Sequence, residues 1–281
     1  MLWKAGILRS CRDGWELTPV LFLFFATSSM ANAQMPGQKA PGPPPEQIEQ
    51  TSQGIRATAG SEVLEVTVCA DSVIHVVATP APSAPTSPRP WMLNAQRACP
   101  GAPFTFVQDA KAATLKTAQL EVIVNIERGN LSFRSISGES LLNEGNSVPR
   151  TYEPVELNGE HTYRVTDRFS PSITEALYGL GQHQNGTFNY RGATVELSQN
   201  NTDVAIPLLI SSKGYGLMWN TAALTYFDNR FPLDMKLTSI AGKSIDYYFL
   251  YGPEIDAVLH EYRTMTGHTP MLPKWAYGFF Q

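Results

Sequence analysis

Short segments that alternate apolar and polar residues, joined by turn sequences, constrain the fold of this 281-residue chain more than any other feature. Glu62–Val68 and Leu120–Ile126 alternate with the two-residue period of a strand that buries one face. Arg128-Gly129-Asn130 follows the second of these segments, and Asn158-Gly159 is a dipeptide typical of tight β-hairpins. These signals predict a meander of antiparallel strands, and the number of strands predicts a mainly β fold, a large antiparallel β-sandwich.

Composition limits the partners of the chain. The net charge is -4, and 16% of the residues are charged, so we expect no basic face and no nucleic-acid partner. The hydrophobic fraction of 43% is ordinary for a globular protein, and 281 residues suffice for one large β domain with appendages. The 21 glycines and 21 prolines favour many short strands and turns over a helical bundle.

The first 33 residues have the pattern of a secretory signal peptide. Basic residues among the first twelve precede the apolar run Val20–Ala26, and Ala31-Asn32-Ala33 supplies the small residues that a signal peptidase requires. A membrane anchor is the alternative, but the run is much shorter than the roughly 20 residues that span a bilayer, so we expect no stable membrane span. The pattern predicts a secreted or periplasmic protein after cleavage near Ala33.

The rest of the chain divides by composition and period. Residues 34–50 are rich in Pro, Gly and Gln and predict a linker, and residues 51–251 carry the strand signals. After Pro253 apolar residues recur at helical spacing until Gly267, which predicts a linking helix within residues 252–269. Leu272–Phe280 is strongly apolar and predicts a strand. This strand is either an edge strand added to the sandwich or the start of another domain, which would then begin within residues 270–281.

Two cysteines, Cys69 and Cys99, lie beyond the predicted signal peptide. In an oxidising compartment they can form one disulfide, which closes a loop of about 30 residues and contributes about 3 kcal/mol in the chain-entropy model. The sequence leaves both the bridge and two free thiols open. The cysteines lack metal-ligand or redox spacing, and we expect neither a metal nor an organic cofactor.

Leu177–Gly186 combines two close glycines, Gly179 and Gly181, with Gln, His and Asn, and the polar loop Gln199–Asp203 follows it. Glycines at this spacing allow one backbone to approach another, and amides with an acidic residue in a loop form a surface that binds hydroxyl groups. The alternative is the edge of a hairpin-rich sandwich with turn-forming amides.

Four blocks of sequence resemble glycoside hydrolase family 31, the α-glucosidases and α-xylosidases. These blocks are Leu177–Gln182, Lys213–Asn220, Gly252–Gly267 and Pro270–Gln281. The resemblance implies a galactose-mutarotase-like β-sandwich placed before a catalytic (β/α)8 barrel, with residues 270–281 as the first strand of a truncated barrel. Family members usually carry Glu at the position of Gln182, so that negative charge is absent here.

The resemblance also implies the chemistry of a secreted retaining α-glycosidase. In such enzymes one carboxylate attacks the anomeric carbon and a second acts as acid and then base, about 5 Å away. Both aspartates lie in the barrel of the family, so no catalytic residue is expected in this chain, which should be inactive alone. The parent protein would act on non-reducing α-linked glucosyl or xylosyl residues of an oligosaccharide, with the missing barrel as its partner in cis.

Two other functions are alternatives for this chain. The chain can be a stand-alone carbohydrate-binding or structural β-sandwich without catalysis. A mutarotase-like isomerase is disfavoured, because the sequence offers no convincing His and Glu pair for the proton transfers.

The resemblance places candidate substrate contacts in the loop after the first glycine block, because in similar enzymes a sandwich loop reaches over the barrel mouth. Asp203 would accept hydrogen bonds from sugar hydroxyls, and Asn200 and Asn201 offer both donors and acceptors. The alternative is that all three residues only cap strands and turns. Asp228 and Asp234 are acidic as well, but no spacing pairs them with Asp203.

Overall fold

The computed structural model describes residues 47–59, 61–83, 91–94 and 96–278. Within these ranges the chain forms two antiparallel sheets and one α-helix, which confirms the predicted β-sandwich followed by a helix. The predicted signal peptide and residues 34–46 of the predicted linker lie outside the described residues.

The strands are numbered along the chain. The eight-stranded sheet contains, in spatial order, β1 (Gln47–Gln50), β2 (Gly54–Ala59), β3 (Glu62–Ala70), β4 (Val73–Pro80), β18 (Ile245–Tyr251), β15 (Tyr215–Trp219), β14 (Val204–Ser211) and β12 (Leu177–Gln182). The ten-stranded sheet contains β13 (Thr194–Leu197), β16 (Thr225–Phe231), β17 (Asp234–Gly242), β11 (Glu160–Ser170), β9 (Ser140–Glu144), β8 (Leu131–Ser135), β7 (Leu120–Asn125), β6 (Ala112–Lys116) and β5 (Thr105–Gln108), with β10 (Arg150–Leu157) paired to β11.

Tight turns close the hairpins where the sequence predicts them. Residues 126–130 connect β7 to β8, and the two strands pair with Leu120 opposite Ser135 and Val124 opposite Leu131. Between β10 and β11, Asn158 and Gly159 have φ values of 52° and 81°. Two consecutive left-handed residues match the twist of the flanking strands, so the pair favours a direct reversal of the chain.

The main hydrophobic core lies between the two sheets. Side chains from both inner faces are buried there, and its largest members are aromatic: Trp219, Tyr215, Tyr247, Phe133, Phe169, Phe227 and Phe249. The rings of Phe133 and Phe249 stack with centroids 4.1 Å apart, and Tyr247 stacks on Trp219 at 6.2 Å. Alternation along each strand therefore places one large side chain every second residue in this layer.

A second cluster covers the outer face of the eight-stranded sheet. The helix α1 (Ile255–Thr266) packs Val258 and Met265 onto this face beside Leu250. The helix is shorter than the predicted region 252–269, and it ends at Gly267, whose φ is 104°. A left-handed glycine at the end of a helix allows the chain to turn away without a steric penalty.

A disulfide joins Cys69 of β3 to Cys99, and both cysteines pack in the second cluster. Its Cα atoms are 4.1 Å apart. The backbone N–H of Asn94 donates to the carbonyl of Met265 at 2.8 Å, so the segment that contains Cys99 also contacts the end of α1. The disulfide thus holds this segment over the outer face of the sheet.

Two segments differ from their predictions. Gln47–Gln50 forms a strand that pairs with β2, so the sandwich begins inside the predicted linker. Ile48 packs against the core, and the backbone hydrogen bonds to β2 hold the rest of the segment in place. Lys274–Tyr277 forms a 3₁₀ turn in place of the predicted strand. A strand needs a neighbour for its backbone donors and acceptors, and no strand among the described residues pairs with this segment.

Candidate functional site

A Gly-Leu-Gly bulge shapes the edge of the eight-stranded sheet. Gly179, Leu180 and Gly181 in β12 have consecutive left-handed φ values of 94°, 62° and 100°. A Cβ atom on Gly179 would lie 2.3 Å from the carbonyl oxygen of Leu208, and one on Gly181 would lie 1.8 Å from that of Val204. Only glycine allows β12 to approach β14 this closely, so the two glycines maintain the fold at this edge.

The segment after β12 runs back along the free edge of that strand. The N–H of Tyr190 donates to the carbonyl of Leu177 at 2.8 Å, and Asn189 Oδ1 accepts from the N–H of Leu177 at 3.0 Å. His183 Nε2 lies 2.8 Å from the carbonyl oxygen of Leu180. These bonds occupy an edge that would otherwise expose unpaired backbone groups.

The predicted sugar contacts Asn200, Asn201 and Asp203 lie together in the turn between β13 and β14. Asn200 Nδ2 donates to Ser198 Oγ at 2.8 Å, and the N–H of Asn200 lies 3.3 Å from the carbonyl oxygen of Asp203. Asn201 is exposed. Part of the polar capacity of Asn200 is therefore used to form the turn.

Asp203 joins this turn to the segment after β12. Its Oδ1 accepts the backbone N–H of Gln184 at 3.1 Å and lies 4.0 Å from His183 Nδ1. The side chain of Asp203 is 27% exposed, and no described residue hydrogen-bonds to its Oδ2. One carboxylate oxygen thus stabilises the loop, while the other retains its capacity to accept hydrogen bonds from a ligand.

A groove of about 340 Å³ lies beside this turn. The groove is lined by residues of the turn before β14, of β14 itself and of the loop before β16. These residues are Leu197, Ser198, Gln199, Ala205, Pro207 and residues 221–225, together with Met92. The lining side chains are neutral, with hydroxyl and amide groups among aliphatic ones. The predicted residues Asn200, Asn201 and Asp203 lie in sequence between the lining residues Gln199 and Ala205, but they do not line the groove themselves. The unbroken apolar run Ala205–Ile210 predicts a strand buried on both faces, but Ile206 is 39% exposed near this end of β14.

The other two acidic residues that the sequence offered are in ion pairs. Asp228 contacts Arg230 at 2.7 Å, and this hydrogen-bonded guanidinium lowers the pKa of Asp228. Asp234 contacts Lys236 at 3.0 Å. Each of these carboxylates is explained by a cation of its own sheet, so neither indicates an acid and base pair.

A His-Asp pair on the outer face of the eight-stranded sheet was not predicted. His75 Nε2 lies 2.9 Å from Asp246 Oδ1, and Asn220 Nδ2 donates to the same oxygen at 3.1 Å. The ring of His75 stacks on Tyr248 with a centroid distance of 4.0 Å, and burial raises the pKa of the Tyr248 hydroxyl. The position of His75 inside the apolar segment Ser72–Val77 predicts a packing role, and the side chains of His75 and Asp246 are only 12% and 2% exposed. His75 and Asp246 are 171 positions apart, so no local sequence pattern reveals the pair.

An ionic cluster is buried between the sheets. Arg150 binds Glu62 Oε1 at 2.9 Å and also binds Glu144, so one guanidinium serves two carboxylates. Asp167 is fully buried beside them, and among the described residues its Oδ2 has no hydrogen-bond partner. Removal from water, and next the nearby charge of Glu144, raise the pKa of Asp167 well above its usual range, although Arg150 opposes this shift.

Within the described ranges, no group of three or more His, Cys, Asp or Glu side chains is placed to hold a metal ion. The helix that the structure describes lacks the length and hydropathy of a membrane span. The Gly-Leu-Gly edge and the turn containing Asp203 are the site that the geometry favours, because Asp203 joins them and keeps one carboxylate oxygen available to a ligand.

Residues 63–228 match the family model described as the glycosyl hydrolase 31 N-terminal galactose mutarotase-like domain. This match covers more than half of the chain. The chain belongs to this family. As a GH31 N-terminal domain, it has the strand-rich fold and sandwich architecture that its sequence predicted.

Several GH31 relatives are similar to the chain. The α-xylosidase of Saccharolobus solfataricus is 37% identical over 187 residues, which cover 63% of this chain and 24% of that protein. A family 31 glucosidase of Pseudescherichia vulneris is 28% identical over 198 residues, which cover 62% of this chain and 36% of that protein. The crystal structure of a GH31 α-xylosidase from a soil metagenome, complexed with xylose, superposes with a TM-score of 0.72 at 25% identity and covers 83% of this chain and 36% of its own.

The chain therefore spans between about a quarter and about a third of the length of these GH31 relatives. The matched region of the family model contains β12, the turn at Asp203 and most of both sheets. Sequence reasoning identified the glycines and Asp203 but missed His183, although His183 follows Gly181 by two positions in the same block.

Proposed function

We propose that the chain is the N-terminal β-sandwich part of a secreted retaining α-glycosidase, an α-glucosidase or α-xylosidase, acting on non-reducing α-linked glucosyl or xylosyl residues. The observation that carries the proposal is the match of residues 63–228 to the GH31 N-terminal domain. The named α-xylosidase and glucosidase relatives are several times longer than the matched region and support the activity of a longer parent protein. The chain alone is inactive in this proposal, because the catalytic carboxylates belong to the barrel.

In the parent enzyme, Asp203 contributes to the wall of the sugar pocket. Its Oδ2 accepts hydrogen bonds from sugar hydroxyls while Oδ1 remains bound to the N–H of Gln184. Asn201, which is exposed next to it, supplies a donor and an acceptor, and Asn200 keeps its turn-forming bond to Ser198. The neutral groove beside the turn is compatible with an uncharged, hydroxylated ligand.

Secretion is part of the proposal. The signal-like sequence of residues 1–33 supports export, with cleavage near Ala33. The disulfide between Cys69 and Cys99 also supports export, since such bonds persist in oxidising compartments. Sequencing the amino terminus of the protein from culture medium or periplasm tests this part, and an uncleaved cytosolic protein would contradict it.

The contact made by Asp203 is tested by Asp203→Ala in the protein that extends through the barrel. Loss of a charged acceptor should reduce kcat/KM on the preferred disaccharide by about 10-fold or more. Asp109→Ala is the matched control, because Asp109 is an exposed carboxylate that only binds the amides of its own turn. An unchanged kcat/KM for Asp203→Ala would refute the contact.

The coding sequence after Gln281 separates the proposal from a stand-alone carbohydrate-binding or structural sandwich. The proposal predicts about 250 further residues of alternating strands and helices, with aspartates at the carboxyl ends of strands. A stop codon shortly after Gln281 would favour the sandwich without catalysis.

A further inference from the structure

The two ring nitrogens of His183 face different groups. Nε2 lies 2.8 Å from the carbonyl oxygen of Leu180, and a carbonyl can only accept a hydrogen bond, so Nε2 carries the proton. In the neutral ring Nδ1 is then the unprotonated nitrogen, and it faces Asp203 Oδ1 at 4.0 Å. The bulge carbonyl thus determines the tautomer that His183 presents to Asp203.

Packing fixes the ring of His183 in this position. Its side chain is only 6% exposed, and the ring meets Tyr190 edge-on with centroids 6.5 Å apart. Tyr190 is itself buried and packs against Phe227 of the core, so the aromatic contacts extend from the core to the imidazole.

The backbone that follows His183 binds the carboxylate directly. The next N–H, that of Gln184, donates to Asp203 Oδ1 at 3.1 Å. Because the imidazole is anchored to both the bulge and Tyr190, the peptide that carries this N–H has little freedom to move. His183 therefore connects the rigid Gly-Leu-Gly edge to the side chain of Asp203.

We propose that His183 is the positioning residue for Asp203, holding the carboxylate in place through the Gln184 amide. The mechanical part of the proposal concerns this chain alone. The substrate part rests on the proposed function, in which the orientation of Asp203 determines how well its Oδ2 meets the sugar hydroxyls.

Two variants separate the bond from the packing. His183→Gln retains a side-chain N–H that can reach the Leu180 carbonyl, whereas His183→Phe retains the ring packing against Tyr190 and loses the donor. Thermal unfolding of each variant shows whether the sandwich is intact, so a folding defect is not mistaken for a positioning effect.

The first measurement uses the 281-residue chain and nitrogen-15 NMR. The proposal predicts a proton on His183 Nε2 and none on Nδ1 in the neutral ring. It also predicts that amide exchange of Gln184 is faster in His183→Phe by about 2- to 10-fold and close to wild type in His183→Gln. A proton on Nδ1, or Gln184 exchange that is unchanged in His183→Phe, would overturn the positioning role without involving the sugar.

The second measurement uses the longer enzyme and separates KM from kcat. His183→Phe should raise KM by about 2- to 10-fold with little change in kcat, and His183→Gln should restore most of the loss. If Asp203→Ala impairs the enzyme and the His183→Phe variant does not, the inference fails while the proposed function stands. If Asp203→Ala is silent, the proposed contact of Asp203 with sugar fails, and the NMR result alone decides the positioning role.

Discussion

Replacing Asp167 by asparagine tests the ionisation of the buried ionic cluster. Asp167 is fully buried, its Oδ1 accepts the N–H of Arg168 at 2.7 Å, and its Oδ2 has no partner among the described residues. Arg150 already binds Glu62, Glu144 and the carbonyl of Gly129, so it offers little to a third carboxylate. Burial and the nearby charge of Glu144 raise the pKa of Asp167 and so favour its neutral form in the folded protein.

The sign of the pH dependence follows from this raised pKa. Between the ordinary pKa of an aspartate and the raised pKa of Asp167, the folded state holds a proton that the unfolded state has released. The free energy of unfolding therefore decreases as pH rises through this interval, by at most about 1.4 kcal/mol per pH unit for one proton. Asparagine cannot ionise, so Asp167→Asn removes this loss.

At about pH 7.5 we expect Asp167→Asn to be more stable than the wild type by about 1–3 kcal/mol, because each pH unit between the ordinary and the raised pKa costs the wild type up to about 1.4 kcal/mol. At about pH 4.5 the difference should be smaller, because the ordinary pKa of an aspartate lies near 4 and the unfolded chain then retains part of the proton. Urea unfolding followed by tryptophan fluorescence at both pH values measures the difference, provided that the slope with urea is unchanged.

Asp109→Asn provides a control of opposite sign. Backbone hydrogen bonds from Lys111 and Ala112 lower the pKa of Asp109, so its stabilising contribution is present at neutral pH and is lost as pH falls. A loss of stability in Asp167→Asn at about pH 7.5 would refute the reasoning, because it would mean that a charged Asp167 is stabilised by Arg150.

Three further substitutions test other parts of the fold by the same unfolding assay. Arg150→Met should destabilise by about 3–5 kcal/mol, because it leaves buried carboxylates without their cation, and a neutral result would mean that these carboxylates are protonated. Gly181→Ala should destabilise the protein by at least about 2 kcal/mol more than Gly186→Ala. Both glycines have a left-handed φ, but only at Gly181 would a Cβ atom meet the backbone, 1.8 Å from the carbonyl oxygen of Val204. Equal costs would contradict the role of the bulge. Cys99→Ser should cost about 2–5 kcal/mol, and thiol counting on the denatured wild type should find no free thiol beyond the signal peptide before reduction.

The strands that could be predicted from the sequence are those with a strong local pattern. β3, β7 and β8 alternate clearly and are bounded by turns, and the left-handed Asn158-Gly159 pair marks its hairpin. β13 and β16 were not predicted, because β13 is an edge strand of only four residues and β16, which lies between β13 and β17, mixes its buried Phe227 with polar residues. Gln47–Gln50 illustrates the same limit, since backbone pairing orders a segment whose composition indicates a linker.

The site was predictable to the extent that it lies in one stretch of sequence. Gly179, Gly181 and Asp203 are close along the chain, and their residue types indicated an edge with a polar loop. The bond from the imidazole of His183 to the carbonyl of Leu180 depends on a backbone conformation that the residue types do not reveal. The buried contacts of Arg150 with Glu62 join residues 88 positions apart, and no local pattern reports them.

The proposal that this chain is the non-catalytic sandwich of a GH31 glycosidase is tested most directly by an activity assay on two proteins. One protein ends at Gln281, and the other continues through the residues that follow it in the coding sequence. On aryl α-xylosides and α-glucosides, we predict no hydrolysis by the first protein and hydrolysis with retention of anomeric configuration by the second. Hydrolysis by the protein that ends at Gln281, or none by the longer one, would contradict the account.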